Sequence, residues 1–150
     1  MVKEKSVMGY LLWILIFIGI CTYTDIKNGF IYTGICIVNI AAALVLHLME
    51  DSLDWTNIGV GLVVGILVMI IAIVSKEKIG RGDAWVIGTL GIMVGGTAAS
   101  SVLFWASFIG CLYGVVGILL GRIRVKDKII FMPFVFAGTV VTGLLGGLNV

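Results

Sequence analysis

Six apolar runs, separated by short connections, take up almost the whole chain and leave little freedom in how it can fold. They occupy residues 8–23, 30–49, 58–74, 84–100, 102–120 and 129–148. A helix needs about 20 apolar residues to cross the hydrocarbon of a bilayer, with roughly 17–25 tolerated. Inside lipid every backbone N–H and C=O must be satisfied by the protein, so only helices and closed barrels span it. These runs are continuously apolar and lack the alternation of barrel strands. With 61% hydrophobic and 12% charged residues, and a mean hydropathy of +1.22, the chain reads as an integral membrane protein. The expected fold is all-α: a polytopic membrane protein built as a bundle of about six transmembrane helices, with residues 1–150 forming one domain. The uncharged stretch 95–101 leaves the boundary between the fourth and fifth spans open by several residues.

Orientation follows from Lys and Arg, which are in excess in cytoplasmic connections. Lys27 lies in the first connection, Lys76, Lys78 and Arg81 in the third, and Arg122, Arg124, Lys126 and Lys128 in the fifth. The opposite side holds Lys3 and Lys5 and the acids Glu50, Asp51 and Asp54. Odd-numbered connections are therefore expected to be cytoplasmic and both termini external. Lys3-Glu4-Lys5 before an apolar run looks like a secretory signal, but no small-x-small cleavage site follows, so the run is kept as the first span.

Several features carry no chemistry at this level. Cys21, Cys36 and Cys111 stand singly within apolar runs and read as small buried hydrophobes. His47, beside Leu46 and Leu48 near a helix end, reads as a packed or interfacial imidazole. No metal constellation is present, and neither a metal nor a cofactor is expected. Gly61 with Gly65, Gly91 with Gly95, Gly110 with Gly114 and Gly117 with Gly121 recur at helical spacing, which lets helix backbones approach closely in lipid. Membrane lipids are expected partners and nucleic acid is not.

The stretch Gly80-Arg81-Gly82-Asp83 precedes an entirely uncharged run from Ala84 to Val94. A carboxylate at the edge of hydrocarbon is costly and calls for a reason. Gly80 and Gly82 suit a tight turn that aims Asp83 inward; the bland reading is that Asp83 caps the next helix. The topology puts Asp25, in the first connection, and Asp83, in the third, on one face of the membrane. Two carboxyls within hydrogen-bond reach do not both ionise easily, so one holds a proton while the other acts as a base, and such a pair activates water. The acid pair also suits a small transporter or channel subunit binding ions or protons, although a transporter site belongs nearer the midplane. Lys27 is either a charge partner for Asp25 or an ordinary topology charge, and Arg81 is as readily an anchor as a substrate contact.

Thr24-Asp25-Ile26-Lys27-Asn28-Gly29-Phe30-Ile31 resembles the first aspartate motif of the type IV prepilin peptidases. Gly80-Arg81-Gly82-Asp83 matches their Gly-x-Gly-Asp motif, and Met132-Pro133-Phe134-Val135-Phe136-Ala137-Gly138 is similar to their last-helix segment. The three stand in family order across nearly the whole chain. The resemblance implies an intramembrane aspartic endopeptidase that cuts the basic leader from type IV prepilin-like proteins at the cytoplasmic face of the cell membrane. It places catalysis on Asp25 and Asp83, with Lys27, Gly80, Gly82, Pro133 and Phe134 as motif and positioning residues. Ile31-Tyr32 departs from the family's common Ile-Pro. The paired Cys-x-x-Cys domain of the long, N-methylating members is not seen, so peptidase without methyltransferase activity is expected; archaeal preflagellin peptidases are a variant of the same class.

Overall fold

The computed structural model is a bundle of six helices: α1 (Val2–Asn28), α2 (Thr33–Met49), α3 (Trp55–Val74), α4 (Arg81–Val94), α5 (Gly96–Leu119) and α6 (Met132–Leu144). It describes residues 2–49, 55–74, 80–122 and 129–146, with no strand among them. Leu11–Asn28 of α1, together with α3 and α5, is long and apolar enough to cross a membrane; α2, α4 and α6 are shorter apolar helices. Long and short elements thus alternate along the chain. Each element buries one stripe and gives the other to lipid. On α1 the buried stripe is Ile14, Phe17, Ile18 and Cys21, while Leu12, Ile16 and Ile20 are exposed, the i, i+3, i+4, i+7 spacing of one helix face.

Successive helices run in opposite directions. Gly61 and Gly65 of α3 meet Gly91 and Gly88 of α4. Gly110, Gly114 and Gly138 bring α5 and α6 together in antiparallel order, against Phe134, Ile129 and the backbone of Val102 and Ala106. Thr22 and Gly19 set α1 antiparallel to α6, against Met132 and Phe136. The ends of α1, α3 and α5 therefore gather with the starts of α2, α4 and α6. Both acids lie at this end of the bundle.

Helix α4 is the hub: it packs most extensively against α3 and also touches α2, α5 and α1. The α3–α4 contact is backbone on backbone. A Cβ on Gly65 would fall 2.5 Å from the Gly88 Cα, and one on Gly91 would fall 2.5 Å from the Gly61 carbonyl oxygen. Real Cβ atoms do not tolerate such distances, so only glycine permits this crossing. In lipid, where packing rather than hydrophobicity drives helix association, close approach of this kind holds helices together.

Several boundaries and pairings differ from the sequence expectation. The fourth and fifth spans, expected at 84–100 and 102–120, are Arg81–Val94 and Gly96–Leu119, because the chain turns at Gly95, whose φ is +82°. Gly95 is therefore a hinge between helices, and Gly88 takes its expected place as the partner that accompanies Gly91. Gly121, with φ +67°, ends α5 rather than packing it. The sixth span narrows from 129–148 to Met132–Leu144, and the first extends to Asn28, which moves Asp25 from a connection into the last turn of α1. Cys111 is exposed rather than buried. His47 is packed, its Nε2 3.0 Å from the Ile92 carbonyl. Glu50, Asp51, Asp54, Lys76, Glu77, Lys78, Arg124, Lys126, Asp127 and Lys128, on which the orientation reading draws, lie outside the described residues, as do the side chains of Lys3, Glu4, Lys5 and Arg81.

The glycine crossing predicts a contrast within one helix. Gly65→Ala should destabilise the bundle by roughly 1–3 kcal/mol, the usual cost of overpacking. Gly59→Ala, where nothing lies within 4 Å of the new methyl group, should be neutral or slightly stabilising. Unfolding curves of the two variants in detergent micelles test this.

Candidate active site

Asp25 occupies the last turn of α1 and is half-buried. The helix stops there because Gly29 adopts φ +71° and donates its N–H to the Asp25 carbonyl at 2.9 Å, a left-handed C-terminal cap that glycine accommodates without strain. The chain then crosses to α2 through Phe30, Ile31 and Tyr32. Ile31 is buried and seated on Gly82, where a Cβ would lie 3.0 Å from the Ile31 Cβ. Gly82 is therefore a socket, and Ile31 seated in it holds the connection after Asp25 against the start of α4. Tyr32 accepts the Ile35 N–H at 2.9 Å and packs edge-on against Phe30, with ring centroids 5.1 Å apart.

Asp83 is the third residue of α4 and is 6% exposed, the one charged side chain that is buried among the described residues. Gly80 precedes the helix in extended conformation (φ −62°, ψ 133°). Its N–H donates to the Asp83 carboxylate, and the Asp83 N–H donates back to the Gly80 carbonyl at 3.1 Å. This reciprocal arrangement resembles a capping box. The cap and functional readings of Asp83 turn out to be compatible. The same side chain lines a cavity of about 340 Å³ and lies within electrostatic reach of Asp25.

The cavity is apolar apart from Asp83 and the Ser107 hydroxyl. Its walls are Val68 and Ile71 from α3, Ile87 from α4, Leu103 from α5, and Ile129 and Phe131 ahead of α6. None of these wall residues was marked by sequence. Phe131 alone had a neighbouring signal, since it directly precedes Met132-Pro133.

The remaining motif residues fall outside the acid pair. Lys27 is exposed and turned to Tyr23, its Nζ 3.3 Å from the hydroxyl and 5.6 Å from the ring centroid. Of the two readings of Lys27, this outward contact accords with the ordinary topology charge. Pro133 lies in the first turn of α6, where its missing N–H costs nothing. Phe134 packs on Tyr113 at 5.4 Å between ring centroids. This segment reaches the site indirectly: Thr22, three residues before Asp25, donates to the Met132 carbonyl at 3.4 Å. Among the described residues no cluster of three or more His, Cys, Asp or Glu is arranged to hold a metal ion.

The fold and site define a polytopic helical membrane protein with two acids at one end of the bundle. The chain belongs to the type IV leader peptidase family, whose sequence pattern matches residues 11–115 and so takes in both aspartates. It is 27% identical over 128 residues to the prepilin leader peptidase/N-methyltransferase of Bacillus subtilis (strain 168), an alignment covering 85% of this chain and 52% of that protein. The chain thus spans about half the length of this relative. No solved structure gives a significant match.

The Ile31 socket yields a local test. Gly82→Ala should unseat Ile31 and accelerate amide hydrogen exchange across residues 31–35. Gly34→Ala, which meets nothing within 4 Å, should leave it unchanged. Equal exchange in both variants would show that the socket does not hold the connection.

Proposed function

We propose that this protein is an intramembrane aspartic endopeptidase that removes the basic leader from type IV prepilin-like proteins, with Asp25 and Asp83 as its water-activating pair. The observation that carries this reading is the placement of Asp83, in a chain of this family, on the wall of an apolar cavity and within reach of Asp25. The cavity receives an apolar part of the substrate beside the scissile bond. One carboxylate takes a proton from water as the water oxygen attacks the peptide carbonyl. The other carboxyl, still protonated, donates to the carbonyl oxygen as it gains charge. The proton taken from water then passes to the departing amine, and collapse of the tetrahedral intermediate breaks the C–N bond. No metal or cofactor enters the scheme.

Gly80 and Gly82 position the acid on α4: the first supplies an N–H to its carboxylate, and the second leaves room for Ile31. Pro133 and Phe134 brace the start of α6, which carries the Phe131 wall. The basic connections assign this end of the bundle to the cytoplasmic face of the cell membrane. A newly made prepilin exposes its basic leader on that face.

Purified protein in liposomes should cleave a prepilin, and Asp25→Asn and Asp83→Asn should each lower the rate by more than about 100-fold, the scale of a lost general acid or base. Both variants should retain the wild-type unfolding transition. Lys27→Ala should stay within about threefold of wild type, because Lys27 faces away from the acids. Leu103→Trp, which fills the cavity, should raise KM. Retained cleavage in either aspartate variant would remove that residue from the pair. Ion uptake by wild type that fails to cut any prepilin would favour a transporter.

A further inference from the structure

Ser107 is the second polar side chain on the wall of the Asp83 cavity, and the chemistry proposed above gives it no task. It stands half-way along α5, the twelfth of 24 residues, at a depth where a helix crossing lipid has no bulk water to offer a hydroxyl. Helical Ser and Thr side chains often meet that shortage by bonding to a carbonyl one turn back. Ser100 and Ser101 of the same helix do so, donating to the Gly96 and Thr97 carbonyls at 2.6 and 3.1 Å. Thr139 and Thr142 of α6 do the same at 2.8 Å. The Ser107 hydroxyl, by contrast, has no hydrogen-bond partner among the described residues. Ser107 is exposed, and the cavity is a space it lines.

The chain sets its level in the bundle. Asp83 and Ser107 each stand twelve residues from the Gly95 turn, on helices that run in opposite directions. Twelve helical residues rise about 18 Å, so the two side chains lie at a similar depth on the wall of one cavity.

The substrate of the proposed reaction brings the need that Ser107 meets. A peptide carbonyl within a helix is bonded to the N–H four residues on, and cleavage requires that segment to be unwound. Unwound backbone at membrane depth carries N–H and C=O groups that cost free energy unless the protein supplies partners. On the peptidase reading the Asp83 carboxyl is committed to the reacting atoms. The Gly80 carbonyl already accepts the Asp83 N–H at 3.1 Å, and the remaining walls are apolar side chains. We propose that the Ser107 hydroxyl donates a hydrogen bond to a substrate backbone carbonyl beside the scissile bond, and so holds the unwound segment level with Asp83. The assignment rests on the peptidase reading above. Because Ser107 contacts backbone, it selects an extended segment over a helical one, whose carbonyls are already satisfied.

The test compares Ser107→Ala, Ser107→Thr and Ser100→Ala with wild type, as full chains in liposomes cutting a prepilin. Ser107→Ala should raise KM roughly tenfold with kcat little changed, the effect of losing one hydrogen bond and leaving its partner unpaired. Ser107→Thr keeps the hydroxyl, and the Ser100 hydroxyl is used within its own helix, so both of these variants should stay within about threefold of wild type. All three should keep the wild-type unfolding transition. A series of peptides from the same prepilin, each with one carbonyl oxygen near the cleaved bond exchanged for sulfur, a poorer acceptor, locates the contact. At one position the exchange should raise the KM of wild type and leave that of Ser107→Ala unchanged. An unchanged KM in Ser107→Ala, or a change confined to kcat, overturns the assignment. A sulfur series in which no position raises the wild-type KM overturns it by itself, whatever the variants do. Wild-type protein that cuts no prepilin overturns the peptidase reading, whereas wild-type cleavage that Ser107→Ala matches overturns the Ser107 assignment alone.

Discussion

The backbone contact between α3 and α4 is the constraint from which the rest of the architecture follows. Gly61 and Gly65 against Gly91 and Gly88 let two helices approach as closely as two backbones can. Such proximity multiplies dispersion contacts in a medium where burial of apolar surface supplies no net drive. It also pins α4 at the centre, where α2 and α5 pack on its remaining faces. The side chains that α4 carries, Asp83 among them, inherit a fixed position. A site built on an element held this tightly needs no mobile loop to define it.

Burying Asp83 is the cost this arrangement bears. A carboxyl taken out of water loses hydration that must be replaced by hydrogen bonds or neighbours. Here the Gly80 N–H supplies one bond, and the cavity leaves the group open to a ligand on its other side. The other buried polar side chains, Thr89, Thr139 and Thr142, each satisfy themselves by donating to a carbonyl one turn back. Asp83 instead lines the cavity between α3, α4 and α5, the opening that the proposed chemistry would use.

The existence of six helices was legible because the spacing of apolar runs is dictated by lipid rather than by detailed packing. Their ends were not. Within 95–101 any of several small residues could turn the chain, and what selects Gly95 is its contact with Asn57 of α3, a tertiary fact. The two aspartates stood out because charge is rare in this chain and both fall in recognisable motifs. The cavity was invisible in sequence, since its walls come from three helices and the segment ahead of α6, and each wall residue is an ordinary apolar one. The sequence left two readings of Lys27 open, because proximity to Asp25 along the chain says nothing about the side of the helix on which a long side chain leaves.

The shortness of α4 bears on the bilayer itself. Its 14 residues rise about 21 Å, against a hydrocarbon thickness of about 30 Å. A helix of that length with Gly95 at one interface would leave its Asp83 end short of the other. Tilting only increases such a shortfall, and a bilayer meets it by thinning or by admitting headgroups and water around that end. In that placement Asp83 would lie at the floor of a dent in the lipid surface. The dent would make hydration of the acid pair a property of the surrounding lipid as well as of the protein, with thicker bilayers straining the same fold that thinner ones accommodate.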